Sequence, residues 1–171
     1  MNKPISLFDE IKADWIANGC DWTRPGFRAL AIYRFGVWRM TINNKFIRAP
    51  FSVLYRFLYR FARNRYGIEI PYSADIGAGV VIEHQHGIVI HGSAIVGDGT
   101  IIRQGVTIGN RHLSSPYDAP MIGHHVNIGA GAAILGKIKI GNNSSIGANS
   151  VVLHDVPSNV SVAGSPAKVI N

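Results

Sequence analysis

The chain has 171 residues, 47% of them hydrophobic, and a formal net charge of +7. That size and apolar content suit one cored domain with at most a small appendage, and they exclude a disordered chain. The single cysteine, Cys20, excludes an internal disulfide and fits a reducing compartment. No apolar run reaches the roughly 18 residues of a membrane-spanning helix, and the mixed-charge start MNKPISLFDEIKADW lacks the apolar centre of a signal peptide. Residues 1–66 hold 12 Lys/Arg against 4 Asp/Glu, whereas residues 67–171 hold 5 against 6. The cations stand among large apolar residues at helical spacing, which argues against a nucleic-acid binder.

In chain order, residues 6–18 read as an amphipathic helix with Leu7, Ile11, Trp15 and Ile16 on one side, stopped at Asn18-Gly19. After Pro25-Gly26 the run FRALAIYRFGVWRM reads as a second helix, and Asn43-Asn44 and Pro50 mark a loop. Residues 51–66 form a third, with an apolar stripe of Phe51, Leu54, Leu58 and Phe61, while Arg56, Arg60 and Arg63 share another face. Residues 1–66 are thus expected to be a helical cap over the open end of whatever follows. A compatible reading rests their basic, aromatic face on an anionic membrane surface.

From Ile76 an Ile or Val returns every six residues: Ile76, Ile82; Ile90, Val96, Ile102, Ile108; Ile122, Ile128, Ile134, Ile140, Ile146 and Val152. A small or apolar residue stands two before most of them and Gly often follows directly. The pair faces one side of a short strand, and the Gly marks a tight turn. Three such strands make a triangular coil of 18 residues, a parallel β-helix whose hand the period does not fix. A β-sandwich would instead space its strands at about 8–12 residues with hairpin turns. The step slips twice. It is eight from Ile82 to Ile90, across Glu83-His84-Gln85-His86-Gly87. It is fourteen from Ile108 to Ile122, across NRHLSSPYDAP, read as twelve plus two. Excursions from a rigid coil are where chemistry is expected.

The segments IEHQHGIVI, IIRQGVTIGN, IGAGAAILGKIKIG, IGANSVVLHDVP and AGSPAKVI resemble the hexapeptide-repeat acyltransferases, from about Pro25 to the end. Within them the chain is similar to the serine O-acetyltransferase branch, and looks closer still to the O-acetyltransferases of exopolysaccharide biosynthesis, such as the colanic acid type. The resemblance implies a mainly β fold, a left-handed parallel β-helix over 67–171 with a C-terminal tail behind the short helical segment, and a homotrimer using acetyl-CoA as co-substrate. It implies His84 as general base, with Glu69 or Glu83 as the carboxylate that orients it, each a Glu where the family has Asp. A neutral imidazole has the right pKa to take a proton from an alcohol, and a carboxylate on its other nitrogen fixes the tautomer.

His86, His112 and Asp118 are assigned to the acceptor. The resemblance implies Asn110, Ala130 and Ala148, with Gly129 and Gly147 beside them, as contacts of the pantetheine arm, and Lys168 as the residue that meets the CoA phosphates. His86 and His91 raise a metal-site alternative, but no metal is expected. His124, His125 and His154 are read as surface residues, and Cys20 as no nucleophile. Ala119 stands where the serine enzymes carry a second His, and their long helical start is much reduced. These departures favour a sugar hydroxyl of a surface polysaccharide as acceptor, at the cytoplasmic face of the membrane. Serine O-acetylation for cysteine biosynthesis is the alternative, and a metal-binding or non-catalytic β-helix the second alternative.

Overall fold

A two-residue strand holds no structure alone; stacked in parallel, each finds hydrogen-bond partners in the coils above and below. The computed structural model describes residues 6–170; Met1–Ile5 and Asn171, which the cap and β-helix readings include, lie outside the described residues. The ladder folds into a three-sided parallel β-helix. Face A holds Ile68–Glu69, Ile88–Ile90, Thr107–Gly109, Ala133–Leu135 and Val151–Val152. Face B holds Asp75–Ile76, Ile95–Val96, Met121–Ile122 and Lys139–Ile140. Face C holds Val81–Ile82, Ile101–Ile102, Asn127–Ile128, Ser145–Ile146 and Ser161–Gly164, and ends on Ala167–Val169, which runs antiparallel to its neighbour.

The ladder aliphatics resolve into one column per face. Ile90, Ile108, Ile134 and Val152 align on face A, Ile76, Val96, Ile122 and Ile140 on face B, and Ile82, Ile102, Ile128 and Ile146 on face C. All are buried, and each such side chain contributes roughly 1.5–3 kcal/mol by leaving water. The residues two before them complete the interior. Among these, buried Thr100 donates to the Gly123 carbonyl and Ser144 to those of Gly141 and Pro157, so the polar members are satisfied.

The second slip differs from expectation. Ile128 pairs with Ile146, a coil of 18, but Ile108 pairs with Ile134, 26 residues on. The loop therefore extrudes eight residues rather than hiding a further rung and releasing two. It holds no Ile or Val to serve as a rung, and its one large aliphatic, Leu113, is 95% exposed. Two tight turns organise the loop, Ser115 N–H donating to His112 C=O and Asp118 N–H to Ser115 C=O, both at 3.1 Å.

Three helices, α1 (Leu7–Ala17), α2 (Pro25–Met40) and α3 (Lys45–Phe61), followed by a π-helical turn Ala62–Tyr66, cover the first coil. The expected apolar side of α1 is buried only in part: Leu7 and Ile11 are half-buried on the side that carries Asp14 and Asn18. Trp15 and Ile16 are exposed, while Asp14 and Asn18 are fully buried. The reason is the coil's open end, whose backbone groups have no strand above them. Asn18 Nδ2 donates to Val80 C=O, and Ile82 N–H donates to Asn18 Oδ1. On α2, Tyr33 Oη donates to Ala74 C=O and accepts from Ile76 N–H. Arg34 donates to the carbonyls of Ile76 (2.6 Å) and Gly77 (2.5 Å) and pairs with Asp14 at 2.9 Å. Asp14 accepts in turn from Gly79 N–H. Burial pushes the Asp14 carboxyl above the usual aspartate range, and the hydrogen bond and charge of Arg34 pull the other way. Gly26 brings the start of α2 against the coil, since a Cβ there would collide with the Ile82 carbonyl oxygen.

α3 begins six residues earlier than expected and carries Pro50 inside it, because the Asn44 side chain caps it by accepting from Phe46 and Ile47 N–H. Pro50 then removes one helical hydrogen bond without ending the helix. The expected stripe is also displaced: Leu54 and Phe61 face solvent, and Tyr55 is the buried residue of α3.

Replacing Asp14 by Ala leaves Arg34 buried without its counter-charge. We expect it to lower unfolding free energy by about 3–5 kcal/mol in urea denaturation, with D14A/R34M recovering part of the loss. A D14A loss within about 0.5 kcal/mol, the range of ordinary surface substitutions, would contradict this account of the cap.

Candidate active site

The first slip forms a bulge at the corner where face C passes to face A. Its backbone is held on both sides: His86 N–H donates to Tyr66 C=O at 2.9 Å, and Gly105 N–H donates to His86 C=O at 2.9 Å. His86 adopts φ +79° and Gly87 φ +73°, and Ile88 N–H returns to Gly67 C=O. Gly67 ends the π-helical turn at φ +63°, and a Cβ there would stand 2.9 Å from the His86 Cα. The end of the helical segment and the bulge thus fix each other. The bulge projects His84 into solvent with neither ring nitrogen in a hydrogen bond within the described chain, while Gln85 Nε2 lies 3.2 Å from His86 Nε2.

Both candidate carboxylates have other partners. Glu83 pairs with Arg103 at 2.6 Å, and Arg103 also donates to Asn127 Oδ1. Glu69 accepts from Tyr59 Oη at 3.0 Å. Burial, then this hydrogen bond to a carboxylate, pushes the Tyr59 phenol well above its ordinary value, so it stays a donor. The expected contact between His84 and an orienting carboxylate is therefore not made in this structure. Sequence reasoning missed Tyr59 and Arg103, which hold the two carboxylates. The four-residue spacing of Tyr55 and Tyr59 marked the inward side of α3, but nothing local pointed to Arg103, one coil away.

Below the bulge the same corner repeats with small residues. Gly129-Ala130 and Gly147-Ala148 follow the face C strands Asn127–Ile128 and Ser145–Ile146. Backbone bonds tie this edge together: Gly131 N–H donates to Gln104 C=O and Asn149 N–H to Ala130 C=O, both at 2.8 Å. Lys168 is exposed on the last strand of face C, paired in register with Ala163. His84 and these five residues thus follow one side of the prism.

Asn110, His112 and Asp118 lie elsewhere, at the corner where face A passes to face B. Asn110 Nδ2 donates to His112 C=O at 3.0 Å. The loop and coil there enclose a groove of about 200 Å³ lined by Arg111, His112, Asp118 and Lys137 among others. Ala119, at the loop's base, is buried. Face A therefore separates the predicted residues into two sets within one protomer. His91 stands at the same corner as Asn110, one coil earlier and away from His86, its N–H donating to Ile108 C=O and its Nδ1 accepting from Ser93 N–H. Among the described residues no three His, Cys, Asp or Glu side chains gather to hold a metal. His124, His125 and His154 sit exposed on coil corners.

Residues 119–154 match the family of bacterial transferase hexapeptide repeats (six repeats). The serine acetyltransferase of Synechococcus elongatus is 42% identical over 85% of this chain and 57% of its own length, so the chain spans little more than half of that relative. That of Helicobacter pylori is 38% identical over 85% of this chain and 81% of its own. A crystal structure of serine acetyltransferase from Brucella abortus strain S19 in complex with coenzyme A superposes with a TM-score of 0.80 at 32% identity, covering 96% of this chain and 66% of that one. The protein is a hexapeptide-repeat, left-handed parallel β-helix protein of the acyltransferase class. Within that class it belongs to the serine acetyltransferase family.

This corrects the acceptor expected from the sequence. The sugar reading rested on Ala119 and the short helical start, yet both occur in a chain whose relatives are serine acetyltransferases. One side chain at the base of a loop changes local contacts without removing the chain from that family.

Gly67→Ala places a Cβ against the His86 backbone at a positive φ. We expect a loss of about 1–2 kcal/mol in urea denaturation, with hydrogen exchange raised at His86 and Ile88. Unchanged exchange at both amides would show that the bulge does not depend on this contact.

Proposed function

We propose that this chain is an acetyl-CoA-dependent serine O-acetyltransferase with His84 as its general base. The observation that carries the reading is its 38% identity to a serine acetyltransferase along 81% of that protein. The geometry supports it, because the family-matched His stands exposed on a braced bulge above an edge of small residues. The His84 imidazole takes the serine hydroxyl proton as the oxygen attacks the thioester carbonyl. The tetrahedral adduct then collapses, the C–S bond breaks, and the CoA thiolate leaves and takes up the proton. Backbone N–H groups at the corner are suited to receive the oxyanion.

Glu69, held by Tyr59, and Glu83, held by Arg103, supply negative charge around the base, one on the first-coil strand above the bulge and one beside His84. The edge from Gly129-Ala130 to Gly147-Ala148 gives an extended thioester arm close access to backbone, and Lys168 suits its phosphates. Buried Ala119 offers no polar group to an amino acid. His86, His112 and Asp118 are left to meet the acceptor, with Arg111 and Lys137 beside the loop for its carboxylate.

We further propose a homotrimer. The two sets of residues lie on opposite edges of face A, and the outer column of that face, headed by Glu69, continues through the uncharged Val89, Thr107, Ala133 and Val151. A head-to-tail ring brings the bulge edge of one protomer to the loop edge of the next.

With L-serine and acetyl-CoA, thiol release should be observed, and His84→Ala should reduce kcat by about 10²–10⁴-fold with unchanged circular dichroism. No turnover of serine by the wild-type protein, or near-normal turnover by H84A, would overturn the reading. Multi-angle light scattering should give three times the mass of one chain, and an active monomer would refute the shared site.

A further inference from the structure

α3 has two apolar sides. One packs inward through Phe51, Tyr55 and Tyr59, where Tyr55 Oη accepts from Tyr72 N–H and Tyr59 holds Glu69. The other faces solvent along the whole helix: Phe46, Ile47, Val53, Leu54, Phe57 and Phe61, with Phe46 78% and Phe57 65% exposed. Their spacing of three, four and seven sets them on one continuous strip. An exposed strip of this size on a soluble protein marks a contact surface.

Its charge states what the contact is. Lys45, Arg56, Arg60 and Arg63 stand on one flank of the strip, all exposed. Among the described residues none of the four is in an ion pair. Ten Lys or Arg and no Asp or Glu lie between Asp21 and Glu69. A second copy of this helix laid on the first would set one cationic row against another with no acid to separate them. A bilayer with anionic headgroups complements both parts at once, taking aromatic side chains at the headgroup boundary and arginines at its phosphates. No described helix is long and apolar enough to cross a membrane, so the contact lies in the plane of the surface.

We propose that α3 docks this protein onto an anionic phospholipid bilayer, the strip from Phe46 to Phe61 entering the headgroup boundary while Arg56, Arg60 and Arg63 meet lipid phosphates. The Phe61 end of the strip packs edge-on against Tyr66, whose carbonyl accepts from His86 N–H, so docking sets the bulge beside the bilayer surface. The inference is independent of the acceptor.

The full-length protein is sedimented with phosphatidylcholine vesicles and with vesicles of equal parts phosphatidylcholine and phosphatidylglycerol. Binding is expected to the mixed vesicles alone and to weaken with salt. Each cation at such a surface strengthens partition by roughly fivefold, so R56Q/R60Q/R63Q should weaken it on the order of a hundredfold. F57D/F61D should abolish it. Circular dichroism checks that both variants fold, and the arginine variant, altered only at exposed positions, keeps the test decisive if the other does not. Failure of the wild-type protein to bind mixed vesicles, equal binding to neutral ones, or binding unchanged in the arginine variant overturns the proposal. A particle mass that halves in F57D/F61D without any vesicle binding by the wild-type protein assigns the strip to a second copy and overturns it as well.

Discussion

Backbone hydrogen bonding between coils is the constraint on which this structure depends. Most of its strands are two residues long, and none could persist unless the coils above and below supplied its partners. That demand forces one register across the stack, so each aliphatic falls under another of its own face and the interior closes as three columns. It also leaves one problem, at the coil with nothing above it. Asp14, Asn18, Tyr33 and Arg34 answer that problem, reaching from α1 and α2 to the carbonyls and N–H groups of residues 74–82. The buried ion pair within that group is therefore understood by what it bonds. Its carboxyl is held above the usual range because burial opposes the charge. Its retention follows from the number of backbone groups that would otherwise be unsatisfied.

The same constraint explains why the coil is legible in the sequence and the packing of the helices on it is not. A period of six returns the same side chain to the same wall, so Ile76 to Val152 declare three columns without any knowledge of contacts. The positions of both excursions could be read as failures of that period. The loop's length in coil terms could not, because a gap of fourteen fits either a hidden rung or a pure extrusion, and only the pairing of Ile108 with Ile134 decides. In α1 the residues Leu7, Ile11, Trp15 and Ile16 suggest the buried face, but only Leu7 and Ile11 turn partly inward. Asp14 and Asn18 are buried more deeply because the surface below them is unpaired backbone rather than hydrocarbon, which helical periodicity does not register.

The site was legible to a similar depth. His84 could be placed on the first excursion, and small residues at 129, 130, 147 and 148 on turns, since both are local features. Which corner each occupies, and that face A stands between His84 and the group of Asn110, His112 and Asp118, requires the topology. The carboxylates show the same limit. Glu69 and Glu83 were visible as acids near the bulge, but the hydroxyl and guanidinium that hold them come from α3 and from the next coil. Ala119 was over-read: a missing imidazole is a statement about one contact, and the family is decided by the whole chain.

The tail has a consequence for how the molecule behaves among its own kind. A stack of parallel coils is a template, and an uncovered last rung would accept a further rung from any neighbouring chain. Here Ala167–Val169 lies along the outer edge of Ser161–Gly164 in the opposite direction. A coil arriving from another molecule would meet a strand running the wrong way for the parallel pairing used everywhere else. On face C the parallel stack is thus closed by a strand that cannot extend it, as the helices close the first coil at the other end.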